Sequence, residues 1–212
     1  MAVEANSAAD FLPSSPTLPN LREAAVGCRG CGLWREATQT VFGEGTRQAD
    51  VMFVGEVPGD REDLEGKPFV GPAGKLLDRA LEEAGIDRTE VYVTNVVKHF
   101  KFTRRGKRRI HKRPSAEEIT ACRPWLDAEL GEVKPKVLVC LGATAAQALI
   151  APSFRVTRQR GEFVDSDLAP SVTATIHPSA ILRAPDDETR EQEMRFFVRD
   201  LRRVATRLNG SH

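Results

Sequence analysis

Two kinds of segment are missing from this sequence. No window is apolar enough to suggest a membrane span. The first 20 residues, "MAVEANSAADFLPSSPTLPN", have neither the basic start nor the apolar core of a secretory signal. They are small, polar and proline-punctuated, and read as a mostly disordered leader. These absences point to a cytoplasmic protein without a membrane partner. Cysteine is scarce as well, with four in 212 residues. In a reducing compartment four cysteines are better read as metal ligands or free thiols than as disulfides. Net charge is almost absent, +1 from 31 Lys and Arg against 30 Asp and Glu, which excludes a uniformly basic surface.

The positive charge that is present is unevenly placed. "RRGKRRIHKR", residues 104–113, holds seven cations (Arg104, Arg105, Lys107, Arg108, Arg109, Lys112 and Arg113) and one histidine, His111. Outside it, 24 Lys and Arg face 30 Asp and Glu. One segment therefore carries nearly all the surplus, the pattern of a localised contact with a polyanion. Read alone, it is a solvated loop that touches phosphates.

From residue 50 onward, strand-like and helix-like segments alternate. "DVMFVGE" (50–56), "EVYVTNVVK" (90–98), "PKVLVCLG" (135–142) and "SVTATIHPS" (171–179) are short apolar runs that read as buried strands. Between and after them lie helical patterns at 73–85, 115–133, 143–150 and 187–208, the second opened by a Ser-x-x-Glu capping box and the first closed by Gly85. The alternation predicts an α/β fold, a three-layer α/β/α arrangement on a central, mostly parallel four-stranded sheet, as one domain over 21–208 with a basic insert at 101–114. In such sheets ligands bind beyond the carboxyl ends of the strands. "GEVPGDRED", "NVVKHFKF", "LGATAA" and "HPSAILR" should therefore converge on one crevice.

The cysteines divide into a C-x2-C hook, Cys28 and Cys31 in "CRGC", and two single residues, Cys122 in a helix and Cys140 near a strand end. Four thiolates suit zinc or an iron–sulfur cluster, and spacing does not choose between them. Cys140, in "VLVCLG", reads equally well as a small buried hydrophobe.

Seven segments together carry a family resemblance: "CRGCGLW", "VFGEG", "GEVPGDREDLEGKPFVGPAGKLLDRAL", "VYVTNVVKHF", "CRPWL", "LGATAAQAL" and "HPSAILR". Their order resembles the iron–sulfur branch (family 4) of the uracil-DNA glycosylase superfamily, over residues 21 to 205. "KRRIH" after "NVVKHFKF" further resembles the UdgX subgroup. The resemblance implies a DNA-repair N-glycosidase acting on uracil-containing DNA. It also implies a structural [4Fe-4S] cluster on Cys28, Cys31, Cys122 and Cys140.

Cleaving the bond between deoxyribose C1′ and uracil N1 makes the sugar cationic and sends the base off as an anion, so donors must meet the base oxygens and negative charge or a nucleophile must stand near C1′. By resemblance, Asn95 reads uracil O4 and N3–H, Phe69 is the stacking platform, His177 donates to O2, and Glu56 lies beside C1′. Gly55 allows close approach of the backbone. Lys107, Arg108, Arg109, Lys112 and Arg113, with Ser179 and Arg183 of "HPSAILR", are the expected DNA contacts. Each also has a plainer reading: Asn95 a strand cap, Phe69 a core aromatic, His177 a capping histidine. The surrounding cations should keep His111 neutral, hence nucleophilic. In UdgX-like proteins the loop histidine captures C1′ and leaves a stable covalent protein–DNA adduct after one turnover. If the loop is extended, Arg109 and His111 share a face, and Arg109 either anchors DNA or orients the ring. One position departs from the subgroup: Val57 stands where "GEQPG" has Gln, so any polar contact of that Gln to the basic loop is missing here. Single-stranded DNA is the favoured substrate because it avoids the unpairing cost. The protein is expected to be a monomer.

Overall fold

Four short runs apolar at almost every position form the heart of the sheet: β1 (Val51–Gly55), β2 (Val91–Asn95), β5 (Val137–Leu141) and β7 (Ser171–Thr175), each buried at all five residues. Burial on both faces is what a parallel sheet sandwiched by helices requires. The computed structural model describes residues 7–210; residues 1–6, the start of the expected leader, lie outside them. The strand order is β2-β1-β5-β7, all parallel, with a fifth strand beside β7. The fifth strand corrects the expected count of four. It is β6 (Phe163–Val164), two half-buried residues running antiparallel to the β7 edge, too short to leave a periodic signal.

Helices cover both faces. On one side α3 (Pro72–Ala84) and α8 (Asp187–Asn209) bury Leu77, Leu81, Phe197 and Leu201 against β1, β2 and β5. On the other, α1 (Leu18–Ala25), α4 (Ala116–Val133) and α5 (Ala143–Leu149) pack through Leu21, Trp125, Leu126 and Leu149. Each fully buried Leu or Phe of this kind contributes about 1.5–3 kcal/mol. The start and end signals read in the sequence operate as expected. Ser115 and Glu118 form a reciprocal capping box on α4, and Gly85 closes α3 in the left-handed region at φ 76°. Short helices α2 (Asp60–Glu65), α6 (Val156–Gln159) and α7 (Pro178–Leu182) occupy the connections.

Two departures from the sequence reading bear on the site. Residues 7–20 are structured rather than free leader: a 3-10 turn spans Ala8–Phe11, Ala8 is fully buried, and Leu18 and Leu21 join the core that holds Trp125. Apolar side chains spaced between the prolines give this segment a surface to bury. The basic insert is a two-stranded antiparallel hairpin, β3 (Phe102–Arg105) and β4 (Arg108–His111), turning at Gly106 with φ 59°. It stands apart from the main sheet.

Candidate active site

From β1 the chain passes to β2 on one side and then crosses back to β5 on the other, so a crevice opens beyond the carboxyl ends of β1 and β5. A cavity of about 800 Å³ lies there. Glu56, the residue after β1, accepts a hydrogen bond from Thr144 Oγ1 of α5 at 2.9 Å, tying the two sides of the crevice together. Glu56, Asn95, Phe69, His111 and His177 all line this cavity, as do Arg113, Ser179 and Arg183. The four expected loops do converge.

Asn95 ends β2 in register with Gly55 of β1. It is 4% exposed, and among the described residues its carboxamide has no protein hydrogen-bond partner. Gly55 makes that position possible: a Cβ on it would meet Asn95 Oδ1 and lie 2.8 Å from Phe69 Cζ. Phe69 is itself held in an unusual conformation, φ 58°, uncommon for a bulky residue. Gly74 in α3 provides the clearance, since a Cβ there would overlap the Phe69 carbonyl. The Phe69 ring stacks near the His177 imidazole, with centroids 6.1 Å apart and planes 29° from parallel.

His177 is fixed as a donor into the cavity. It caps α7, and its Nδ1 accepts the Ser179 backbone N–H at 3.1 Å, so a neutral ring carries its proton on Nε2. Burial, aided by the positive charge of Arg183 and by His111, pushes its pKa down to about 4. The ring is neutral at physiological pH.

His111 ends β4, with its ring 6.2 Å from that of Phe100. Its pKa is lowered, though not for the reason the sequence suggested. Loss of hydration against the cavity wall dominates, Glu56 and Glu62 oppose it, and the cation that adds to it is Arg183 rather than one of the hairpin. His111 is an exposed residue.

Arg109 requires a larger correction. Its Nε donates to Asp60 Oδ1 and its Nη1 to Asp63 Oδ2, both at 2.5 Å, with further bonds to Thr38 Oγ1 and the Asp60 carbonyl. The guanidinium also lies over the rings of Phe100 and Phe102, 5.3 and 5.2 Å from their centroids. The side chain is only 13% exposed and is spent on protein, so it is a fastener of the hairpin to α2 rather than a phosphate contact. Arg109 and His111 do share a strand face, as expected of an extended segment. Lys107, Arg108 and Lys112 are exposed and outside the cavity lining. Arg113 reaches the rim, bonded to Gln147 Oε1 and 3.9 Å from Glu56. Val57 is 7% exposed and packs in the core cluster.

Three of the four cysteines come together. Cys28 lies close enough to raise the pKa of Cys31, and Cys28 and Cys31 that of Cys122; burial is the largest cause for both, and Cys122 is pushed up to about 12. Two N–H groups already point at these sulfurs: Trp125 Nε1 to Cys28 Sγ at 3.2 Å and the Lys98 amide to Cys122 Sγ at 3.3 Å. Cys140 is elsewhere. It sits inside β5 between Val54 and Ala174, and burial alone raises its pKa, with no other thiol acting on it. It is the small buried hydrophobe of the plainer reading. Among the described residues no three His, Cys, Asp or Glu side chains are grouped tightly enough to share one metal ion.

Sequence reasoning passed over His99. It follows the Lys98 amide that touches Cys122, is 4% exposed, and has its pKa pushed down to about 4 by burial. Its Nε2 lies 2.9 Å from Thr40 Oγ1, whose single hydroxyl proton goes to the Ala25 carbonyl at 2.8 Å. Thr40 must therefore accept from Nε2–H, which leaves the Nδ1 lone pair free. The position beside Lys98 in "VKHF" was the available signal.

On a parallel α/β sheet, a carboxamide, an aromatic ring and a neutral histidine line one cavity of about 800 Å³. The chain belongs to the uracil DNA glycosylase superfamily, whose family model matches residues 42–202. It is similar to proteins named Type-4 uracil-DNA glycosylase: 37% identical to that of Sulfurisphaera tokodaii over 180 residues (80% of this chain, 78% of the relative). The corresponding protein of Thermotoga maritima is 39% identical over 169 residues (79% and 84%), and that of Archaeoglobus fulgidus 36% over 176 (80% and 85%). Among the described residues no helix is long and apolar enough to cross a membrane.

Proposed function

We propose that this protein excises uracil from DNA and that His111 then captures the abasic sugar, joining protein to DNA. The observation that carries the reading is the company His111 keeps. Its ring lines the same cavity as Asn95, Phe69 and His177, within electrostatic reach of Glu56 and His177. A flipped uracil stacks on Phe69 and pairs through O4 and N3–H with the free carboxamide of Asn95. As the C1′–N1 bond breaks, its electron pair leaves on the base, and the Nε2–H of His177 stabilises the charge at O2. The Glu56 carboxylate faces the cationic sugar. The unprotonated nitrogen of His111 then gives its lone pair to C1′, forming a C–N bond, and the ring's remaining N–H proton passes to Glu56 or water. Lys107, Arg108 and Lys112, exposed on the hairpin, hold phosphates, while Ser179, Arg113 and Arg183 hold the strand at the rim.

Cys28, Cys31 and Cys122 would hold a [4Fe-4S] cluster, with the free Nδ1 of His99 as the fourth donor in place of Cys140. Thiol donors too widely spaced for one ion, two of them approached by N–H groups, suit a cluster better than zinc. Such a cluster, when bound, supplies a covalent clamp between residues 28–31 and α4.

The test of the function is a uracil-containing single-stranded oligonucleotide analysed on a denaturing gel. The reading expects a band that resists heat and SDS, absent with a thymine control. A second reading, multiple-turnover glycosylase without capture, draws support from the names of the relatives. It expects uracil released in molar excess over protein and no shifted band.

A further inference from the structure

Beneath the cavity floor lies a buried ion pair that the chemistry above does not use. Lys98 and Glu129 have side chains 1% and 0% exposed, and Lys98 Nζ lies 2.5 Å from Glu129 Oε2. An ammonium has three protons to donate, and all three are placed: on Glu129 Oε2, on Thr94 Oγ1 at 2.6 Å, and on the backbone carbonyl of Asn95 at 2.8 Å. Glu129 is saturated in turn, accepting from the Gly43 amide, Tyr92 OH and Thr94 Oγ1, each at 3.0 Å. Burial and the Glu129 charge push the Tyr92 pKa up, which keeps its hydroxyl a donor.

We propose that Lys98 is a positioning residue for Asn95, holding the peptide that follows it so that the carboxamide meets uracil in register. That peptide is pinned at both ends. Its carbonyl takes the Lys98 ammonium, and its N–H, on Val96, donates to the Gly55 carbonyl at 3.0 Å. With both ends fixed, the Asn95 backbone has little freedom to rotate, and the direction of its side chain is set. Lys98 is itself gripped twice by α4, at its backbone amide by Cys122 Sγ and at its ammonium by Glu129, one helix face two turns apart. The helix that carries a cluster cysteine thus reaches the base-reading residue through one lysine. Hydrophobic strand ends usually need no buried charge. Here an ammonium is kept from water at considerable desolvation cost, a device that specifies geometry more than it adds stability.

This inference rests on the reading of Asn95 as the residue that recognises uracil. The experiment measures single-turnover uracil release and inhibition by free uracil in the full-length, cluster-loaded chain. Four proteins are compared: wild type, Asn95→Ala, Lys98→Met, and the double variant Lys98→Met with Glu129→Gln. Folding is followed by thermal melting and by the cluster absorbance near 400 nm. The double variant removes both buried charges and is expected to recover most of the melting temperature lost by Lys98→Met. Its release rate is expected to stay down by about tenfold or more, with weaker inhibition by uracil, because the Asn95 carbonyl still lacks its donor. Recovery of rate together with stability would overturn the proposal, reducing Lys98 to a structural residue. So would a wild-type rate in Lys98→Met. Should Asn95→Ala itself release uracil at the wild-type rate, it is the underlying reading of Asn95 that fails, and this result is distinguishable from the other two.

Discussion

Asn95 and His111 face the same cavity from opposite kinds of support. Asn95 stands at the end of a strand in the main sheet, registered against Gly55, nine-tenths buried, with its peptide fixed by Lys98 and Gly55. His111 stands exposed at the end of a hairpin outside that sheet, and the Arg109 clamp to Asp60 and Asp63 fastens the hairpin to α2. The floor is preorganised by the fold as a whole; the rim hangs on a local ionic contact. In the proposed function, recognition and bond cleavage belong to the floor and capture to the rim. The two should therefore be separable by mutation and by pH.

The largest effect is expected at the floor. Asn95→Ala should slow single-turnover uracil release about 10²–10³-fold, the usual loss when a preorganised donor to the transition state is removed. Capture falls with it, since no sugar cation forms. A smaller and more selective effect is expected from Arg109→Met. Release should stay within a few-fold of wild type, while the yield of adduct falls about 10–100-fold because the hairpin no longer holds His111 in line with C1′. Differential scanning should also show a loss of about 3 kcal/mol, because Asp63, fully buried, loses its charged partner.

Acid should draw the same line without mutation. His177, with its pKa near 4, stays neutral through mildly acidic conditions, so release should persist there. His111 is lowered but lies open to solvent and beside Glu56 and Glu62, which favour its protonated form, so capture should fade first as pH falls below the ordinary histidine value. The sign for stability runs the same way. His177 is depressed to about 4 in the fold, so between about 6.5 and 4 the unfolded chain binds more protons. Its contribution is full above 6.5 and is lost as pH falls toward 4, which a series of melting temperatures would show. The smallest effect is expected at Cys140. Cys140→Val should keep the absorbance near 400 nm and lose at most about 1 kcal/mol of stability, whereas Cys122→Ser should lose the absorbance.

What the sequence made legible follows from how local each signal is. The four buried strands, the capping box at Ser115 and the left-handed cap at Gly85 are written within a few consecutive residues, and they lie where the pattern put them. The cavity lining was legible because strand ends must converge in a parallel sheet. Arg109 was not, because its partners Asp60 and Asp63 lie 49 and 46 positions away and nothing nearby marks them. The hairpin read as a loop because its pairing is decided across Gly106 rather than by apolar alternation. His111 was expected to owe its neutrality to neighbours in sequence, yet the charge that helps is Arg183, 72 residues on. Cys140 shows the same limit, lying inside β5 with no other thiol acting on it. A residue type announces a donor, but only the packed chain shows which donors meet.

The most direct test of capture at the rim is a denaturing gel of the wild-type protein and His111→Ser, each incubated with uracil-containing single-stranded DNA while released uracil is measured in parallel. Wild type should give a heat- and SDS-resistant adduct in step with uracil release. His111→Ser should release uracil, leave alkali-labile abasic DNA and form no adduct. An adduct that survives the loss of His111, or a wild-type protein that turns over many uracils without one, would contradict the assignment of His111 as the capturing group.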